Sequence, residues 1–127
     1  MKTGKKTGIK FFVNVDLFGF GIHFFFGDDR KEQFLRETKE KDDRPNEPPS
    51  MGRANGNMVW LSDDAELHHL VHELHHAKWI YTHVLGVKCE ETEAYIVGYL
   101  FEKAHKRFVK WKEELTKYNV EQMRVKQ

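Results

Sequence analysis

Residues 67–77 read LHHLVHELHHA, and how this stretch is folded decides the rest of the chain. Five histidines, His68, His69, His72, His75 and His76, crowd around one glutamate, Glu73. Leu67, Leu70, Leu74, Ala77, Tyr81 and Val84 recur at helical spacing and form one apolar face. The segment is therefore predicted to be a helix, running from Ser62 or Asp63 to Leu85 with Gly86 as its C-terminal cap. Asp63 followed three residues later by Glu66 has the form of a capping box. His72, His76 and Trp79 fall on the side opposite the leucines, and a tryptophan beside histidines suggests a helix covered on both sides.

The helix turns the histidines into a chelating pair. Residues four apart sit one turn above each other, so His72 and His76 can reach one zinc at roughly 2.0–2.1 Å each. Glu73 occupies the second position of H-E-x-x-H and lies about 100° round the helix, placed to take a proton from activated water. His68 and His72 are a second i, i+4 pair, and exposed histidines on a polar face would give a similar pattern. His83 projects from the same side about 10 Å further along, too far to share the metal in an unbroken helix.

A catalytic zinc needs a third protein ligand, and the next helix supplies candidates. That helix is predicted to start at Glu90–Thr92 and continue to Tyr118, with the stripe Val97, Leu100, Ala104, Phe108, Trp111 and Leu115. Extended back one turn, the stripe meets Glu93; Glu91 points away and Glu90 is the reserve. A carboxylate at the head of a buried stripe requires a partner, and a metal is one. The bland reading is an acidic first turn favoured by the helix dipole.

Upstream, Lys10–Leu17 and Gly21–Phe26 are rich in aromatic and β-branched residues around a glycine-containing turn, which predicts a β-hairpin. Residues 27–57 form a charged loop, with a short helix over Lys31–Lys39 and an irregular stretch RPNEPPSMGRANGN. A loop of that length is expected to be mobile or shaped by function. Met58–Leu61 (MVWL) is predicted to be a short third strand. The expected fold is one α+β domain over residues 1–127: a hairpin and a third strand packed on two long helices.

Composition limits the function classes. The net charge is +1 over 127 residues, so nothing pushes the chain as a whole toward nucleic acid or a membrane. The basic C-terminal helix residues Lys103, Lys106, Arg107, Lys110 and Lys112 alternate with Glu102, Glu113 and Glu114 and read as a solvated face. Cys89 is the single cysteine, which fits a reducing compartment. The apolar run 11–26 is broken by Asn14, Asp16 and His23 and makes a poor signal sequence, so a soluble intracellular protein is expected.

The stretch LVHELHHAKWIYTHVLGVKCEETEAYIVGYLFEKAHK resembles the small H-E-x-x-H proteins of tailed phages and prophages. His72, Glu73, His76, Ala77, Gly86-Val87-Lys88 and Glu93-Ala94-Tyr95 match that group's pattern, and GRANGNMVWL is similar to its strand before the active helix. The resemblance covers about residues 52–106. It implies a minimal gluzincin, a zincin-like metallopeptidase with His72, His76 and Glu93 on zinc, Glu73 as general base and a peptide or protein as substrate. Manganese or nickel could occupy the same donor set. Met58–Leu61 could offer an edge for substrate strand addition, with Tyr95, Tyr99 or His83 as oxyanion donors. The alternative is a non-catalytic, zinc-stabilised phage assembly or host-interaction protein, its site closed by His69 or His75.

Overall fold

The computed structural model describes residues 7–15, 20–39, 51–84, 86 and 89–125, and their fold is α+β. Strands β1 (Ile9–Val15) and β2 (Phe20–Phe26) form the expected antiparallel hairpin, with Ile9 opposite Phe26 and Val15 opposite Phe20. Its turn, residues 16–19, lies outside the described residues. In β1 the side chains alternate: Phe11, Val13 and Val15 are buried, Phe12 and Asn14 exposed. This is the period-two signature of a strand with one wet face.

A short 3-10 turn, Asp28–Arg30, leads into helix α1 (Lys31–Thr38), the short helix predicted over Lys31–Lys39. α1 covers the far face of the sheet by setting Phe34 against Phe25 and Trp60, all essentially inaccessible. Trp60 can lie there because its Nε1–H donates to the Gly27 carbonyl at 2.8 Å.

The predicted loop 27–57 contains more regular structure than expected. Gly52–Asn55 is a strand, β3, joined by the turn Gly56–Asn57 to β4 (Met58–Leu61). GRAN contains no β-branched or aromatic residue, so intrinsic propensity gives no strand signal there. The signal lies in the turn, where Gly56 at φ 57° opens a two-residue hairpin. Residues 40–50 of the predicted loop, which include the first half of the irregular stretch, lie outside the described residues. The sheet order is β1-β2-β4-β3, with β2 and β4 parallel and the other pairs antiparallel. Met58–Leu61 is therefore an interior strand; the edge beside the histidine helix is β3, and the other edge, β1, lies beside the C-terminal helix.

Helix α2 (Leu67–Ala77) starts later and ends earlier than predicted. Asp63 does not cap it, because it is committed elsewhere: the Asp28 amide donates to Asp63 Oδ1 at 2.9 Å and the Asp63 amide to Asp28 Oδ1 at 3.1 Å. Glu66 caps instead, in a box whose return bond runs from the Glu66 amide to His69 Nδ1 at 2.8 Å. Beyond Ala77 the chain widens into a π-helical turn, Ile80–Val84, and Gly86 follows at φ 75°. Leu85, the predicted last residue of the helix, lies outside the described residues.

Helix α3 (Glu90–Val125) starts where expected and runs past Tyr118. Ile96, Leu100, Ala104, Phe108, Trp111 and Leu115 are its buried stripe, led by Ile96 and not by the half-buried Val97. They pack with Leu70, Leu74, Ala77 and Tyr81 of the histidine segment against Phe11, Phe24 and Phe26 of the sheet. Phe26 holds the centre, 5.3 Å from Trp111 and 5.9 Å from Phe108 between ring centroids. Among the described residues no helix is long and apolar enough to cross a membrane.

Candidate metal centre on the histidine helix

α2 presents three flanks with different chemistry. Leu70, Leu74 and Ala77 are fully buried and fix the rotation of the helix against the sheet. That rotation leaves His72 and His76 exposed on the outer flank, and Trp79 is 51% exposed beyond them. The expectation of a helix covered on both sides is thus corrected: one side is core, the other is open to solvent.

On that open side the two imidazoles converge. His72 Nε2 and His76 Nε2 are 3.1 Å apart, with ring centroids at 4.7 Å. Without a metal this is a hydrogen bond, one ring donating N–H to the other's lone pair. Two nitrogens bound to one tetrahedral zinc stand about 3.3 Å apart, so the pair is within a few tenths of an ångström of chelating geometry. The other i, i+4 pair is not set up this way. The His68 ring lies tilted against His69, with centroids 4.0 Å apart, and its Nδ1 faces Glu66 Oε2 at 3.6 Å. His83 stacks on Trp79 at 4.7 Å, and its Nδ1 meets Thr82 Oγ1 at 2.8 Å.

Glu73, next to His72 and near enough to feel its charge, packs against Gly52 of the sheet and is only 6% exposed. Burial pushes its carboxyl above the ordinary range, and the charge of His72 pulls part of the way back. Gly52 of β3 makes room for it: a Cβ on Gly52 would stand 3.1 Å from both Cγ and Oε2 of Glu73. A side chain on the edge strand would therefore crowd the carboxylate. The residue pattern put Gly52 in an irregular stretch, and only the resemblance carried by GRANGNMVWL pointed to a strand there.

Glu93 is where the helical stripe puts it, half-buried at the head of α3, but its partner is an ammonium. Lys78 Nζ lies 3.5 Å from Glu93 Oε1, with each side chain about a quarter exposed. At 100° per residue Lys78 projects about 120–160° away from the two histidines around α2. Among the described residues no three His, Cys, Asp or Glu side chains converge as a metal-binding group. The structure thus joins His72 to His76, sets Glu73 behind them and leaves Glu93 on a separate flank. Lys78 could have been suspected from sequence, as a basic last-turn residue across a short connection from an acidic first turn.

Cys89, exposed just before α3, has its thiol held below the usual range by hydrogen bonds from Thr92 and from the Glu91 amide. No protein-family profile, curated protein or solved structure matches the chain.

Proposed function

We propose that the protein is a zinc-dependent hydrolase, a peptidase by class, of the phage H-E-x-x-H kind. The observation that carries the reading is the 3.1 Å approach of His72 and His76 Nε2 beside a buried glutamate with raised proton affinity. Zinc held by the two imidazoles would polarise a scissile carbonyl and lower the pKa of water toward about 7. Glu73 is the base, since a carboxyl made more basic by burial is better matched to proton transfer near neutral pH. The edge strand β3 is the place for an extended peptide to add as a further strand, in line with Gly52 and Glu73.

Glu93 is proposed as the third ligand, and magnitudes make the exchange of partners reasonable. A partly exposed ion pair such as Lys78–Glu93 contributes at most about 1 kcal/mol. Complete zinc sites contribute about 10–16 kcal/mol, so one zinc–carboxylate bond outweighs that pair. The first turn of α3 has to move for Glu93 to reach the histidines. Glu93→Ala is expected to weaken zinc affinity more than Glu90→Ala or Glu91→Ala. Lys78→Ala, which frees the carboxylate, should tighten it by up to about fivefold. Competition with a chromogenic chelator measures all four variants; an unchanged affinity in Glu93→Ala would leave Glu93 as the partner of Lys78 alone.

The deciding experiment strips the purified chain with a chelator, reloads it with zinc, and screens a peptide library for cleavage. About one zinc per chain and cleavage restored by the metal are expected. Zinc uptake without cleavage of any peptide would favour the second reading, a zinc-stabilised assembly or host-interaction protein.

A further inference from the structure

α3 is about 54 Å long, at 1.5 Å for each of its 36 residues, and the last buried side chain among those described is Leu115. From Thr116 to Arg124 no side chain is buried, although the helix continues to Val125. Isolated helices of that size are marginal in water, so this end gains from a partner. It exposes Val120 at 47% and Met123 at 64%, and Val109, nearer the middle, is 41% exposed. Near its other end, α3 forms with α2 an open groove of about 550 Å³, lined chiefly by Val71, Leu74, Ala94, Val97, Gly98 and Phe101. Gly98 leaves a notch there, since a Cβ on it would meet nothing within 4 Å.

These two surfaces look in the same direction. At 100° per residue Ala94, Gly98, Val109, Val120 and Met123 fall within an arc of about 80° on α3. The notch at Gly98 and the projecting Val120 are about 33 Å apart along the same helix. We propose that the chain forms a two-fold dimer in which α3 packs antiparallel on α3 of a second copy. The projecting end of each seats in the α2–α3 groove of the other, an isologous contact of the helix-in-groove kind.

Charge and spacing favour this occupant. With Val109 on the two-fold axis, Gly98 faces Val120 and Tyr95 faces Met123. The same register sets Lys117 toward Glu102 and His105 toward Glu113. A parallel arrangement would instead set the projecting end of each chain on its own copy, away from the groove. Among the described residues the groove end carries Glu90 and Glu93 with Lys78, whereas the seated end brings Lys117 and Arg124 with Glu121.

Equilibrium sedimentation of the full chain at about 1–100 µM tests the association, and cysteine pairing tests the register. A mass twice that of the 15.1 kDa chain is expected, and Val120→Asp with Met123→Asp should weaken dimerisation at least about tenfold. In a Cys89→Ser background, Val109→Cys should cross-link to itself under oxidised glutathione. Val120→Cys alone should not, but should cross-link to a Gly98→Cys chain mixed with it. A monomer at about 100 µM overturns the proposal, as does self-pairing of Val120→Cys in preference to Val109→Cys.

Discussion

Glu73→Gln is expected to keep the fold and the zinc while turnover falls by at least about a hundredfold, the usual scale for loss of a general base. Glutamine matches glutamate in size and fits the same space beside Gly52, but it cannot accept a proton. The same variant has a stability signature in the zinc-free protein. Burial raises the folded-state pKa of Glu73 above its ordinary 4.5, so over that window the native chain holds a proton that the unfolded chain has released. Stability of the parent therefore declines as pH rises from about 4.5 through the folded-state pKa, and the cost persists at neutral pH. The glutamine side chain has nothing to ionise, so the variant should match the parent below that window and exceed it above. Urea titrations at several pH values, with peptide cleavage measured in parallel, read both effects. Normal turnover in a zinc-loaded Glu73→Gln protein would remove Glu73 as the base, whereas full biological function of that variant without measurable cleavage would remove the enzyme reading and leave the structural one.

Loss of either chelating imidazole should be as large an effect on binding. His72→Ala or His76→Ala is expected to lower zinc affinity on the order of a thousandfold, because one imidazole cannot replace a chelate. In the parent, zinc at a hundred times its Kd should add about 2.7 kcal/mol of stability, and that increment should vanish in both variants. His68→Ala and His83→Ala should leave it in place, since those rings are turned to His69 and Trp79. Retained affinity in His72→Ala together with loss in His68→Ala would move the site to the other end of the cluster.

The parts of the fold that can be read from sequence are those where side-chain pattern and backbone agree. The β1–β2 hairpin, α1 and the start of α3 all carry such patterns, and each lies where it is expected. The misses come from competition that is long-range in sequence. Asp63 has the spacing of a cap, but the Asp28 amide takes its carboxylate, a contact across 35 residues that local spacing cannot show. Strand β3 carries no propensity and exists because β4 offers it an edge. The same limit governs the site. The His72/His76 spacing is a property of one helix and is fully legible. Whether Glu93 faces those histidines depends on how α2 and α3 pack, and Lys78 is what it meets.

The unequal placement of the three tryptophans makes the molecule its own optical probe. Trp60 and Trp111 are 1% exposed, whereas Trp79 is half exposed, a few residues past His76. A water-borne quencher such as iodide therefore addresses one emitter of three. A paramagnetic ion such as copper(II) or cobalt(II) at the histidine pair should dim that emitter far more than the two buried ones. Occupancy of the metal site can then be followed by fluorescence in the unmodified chain, with no dye and no assumed substrate.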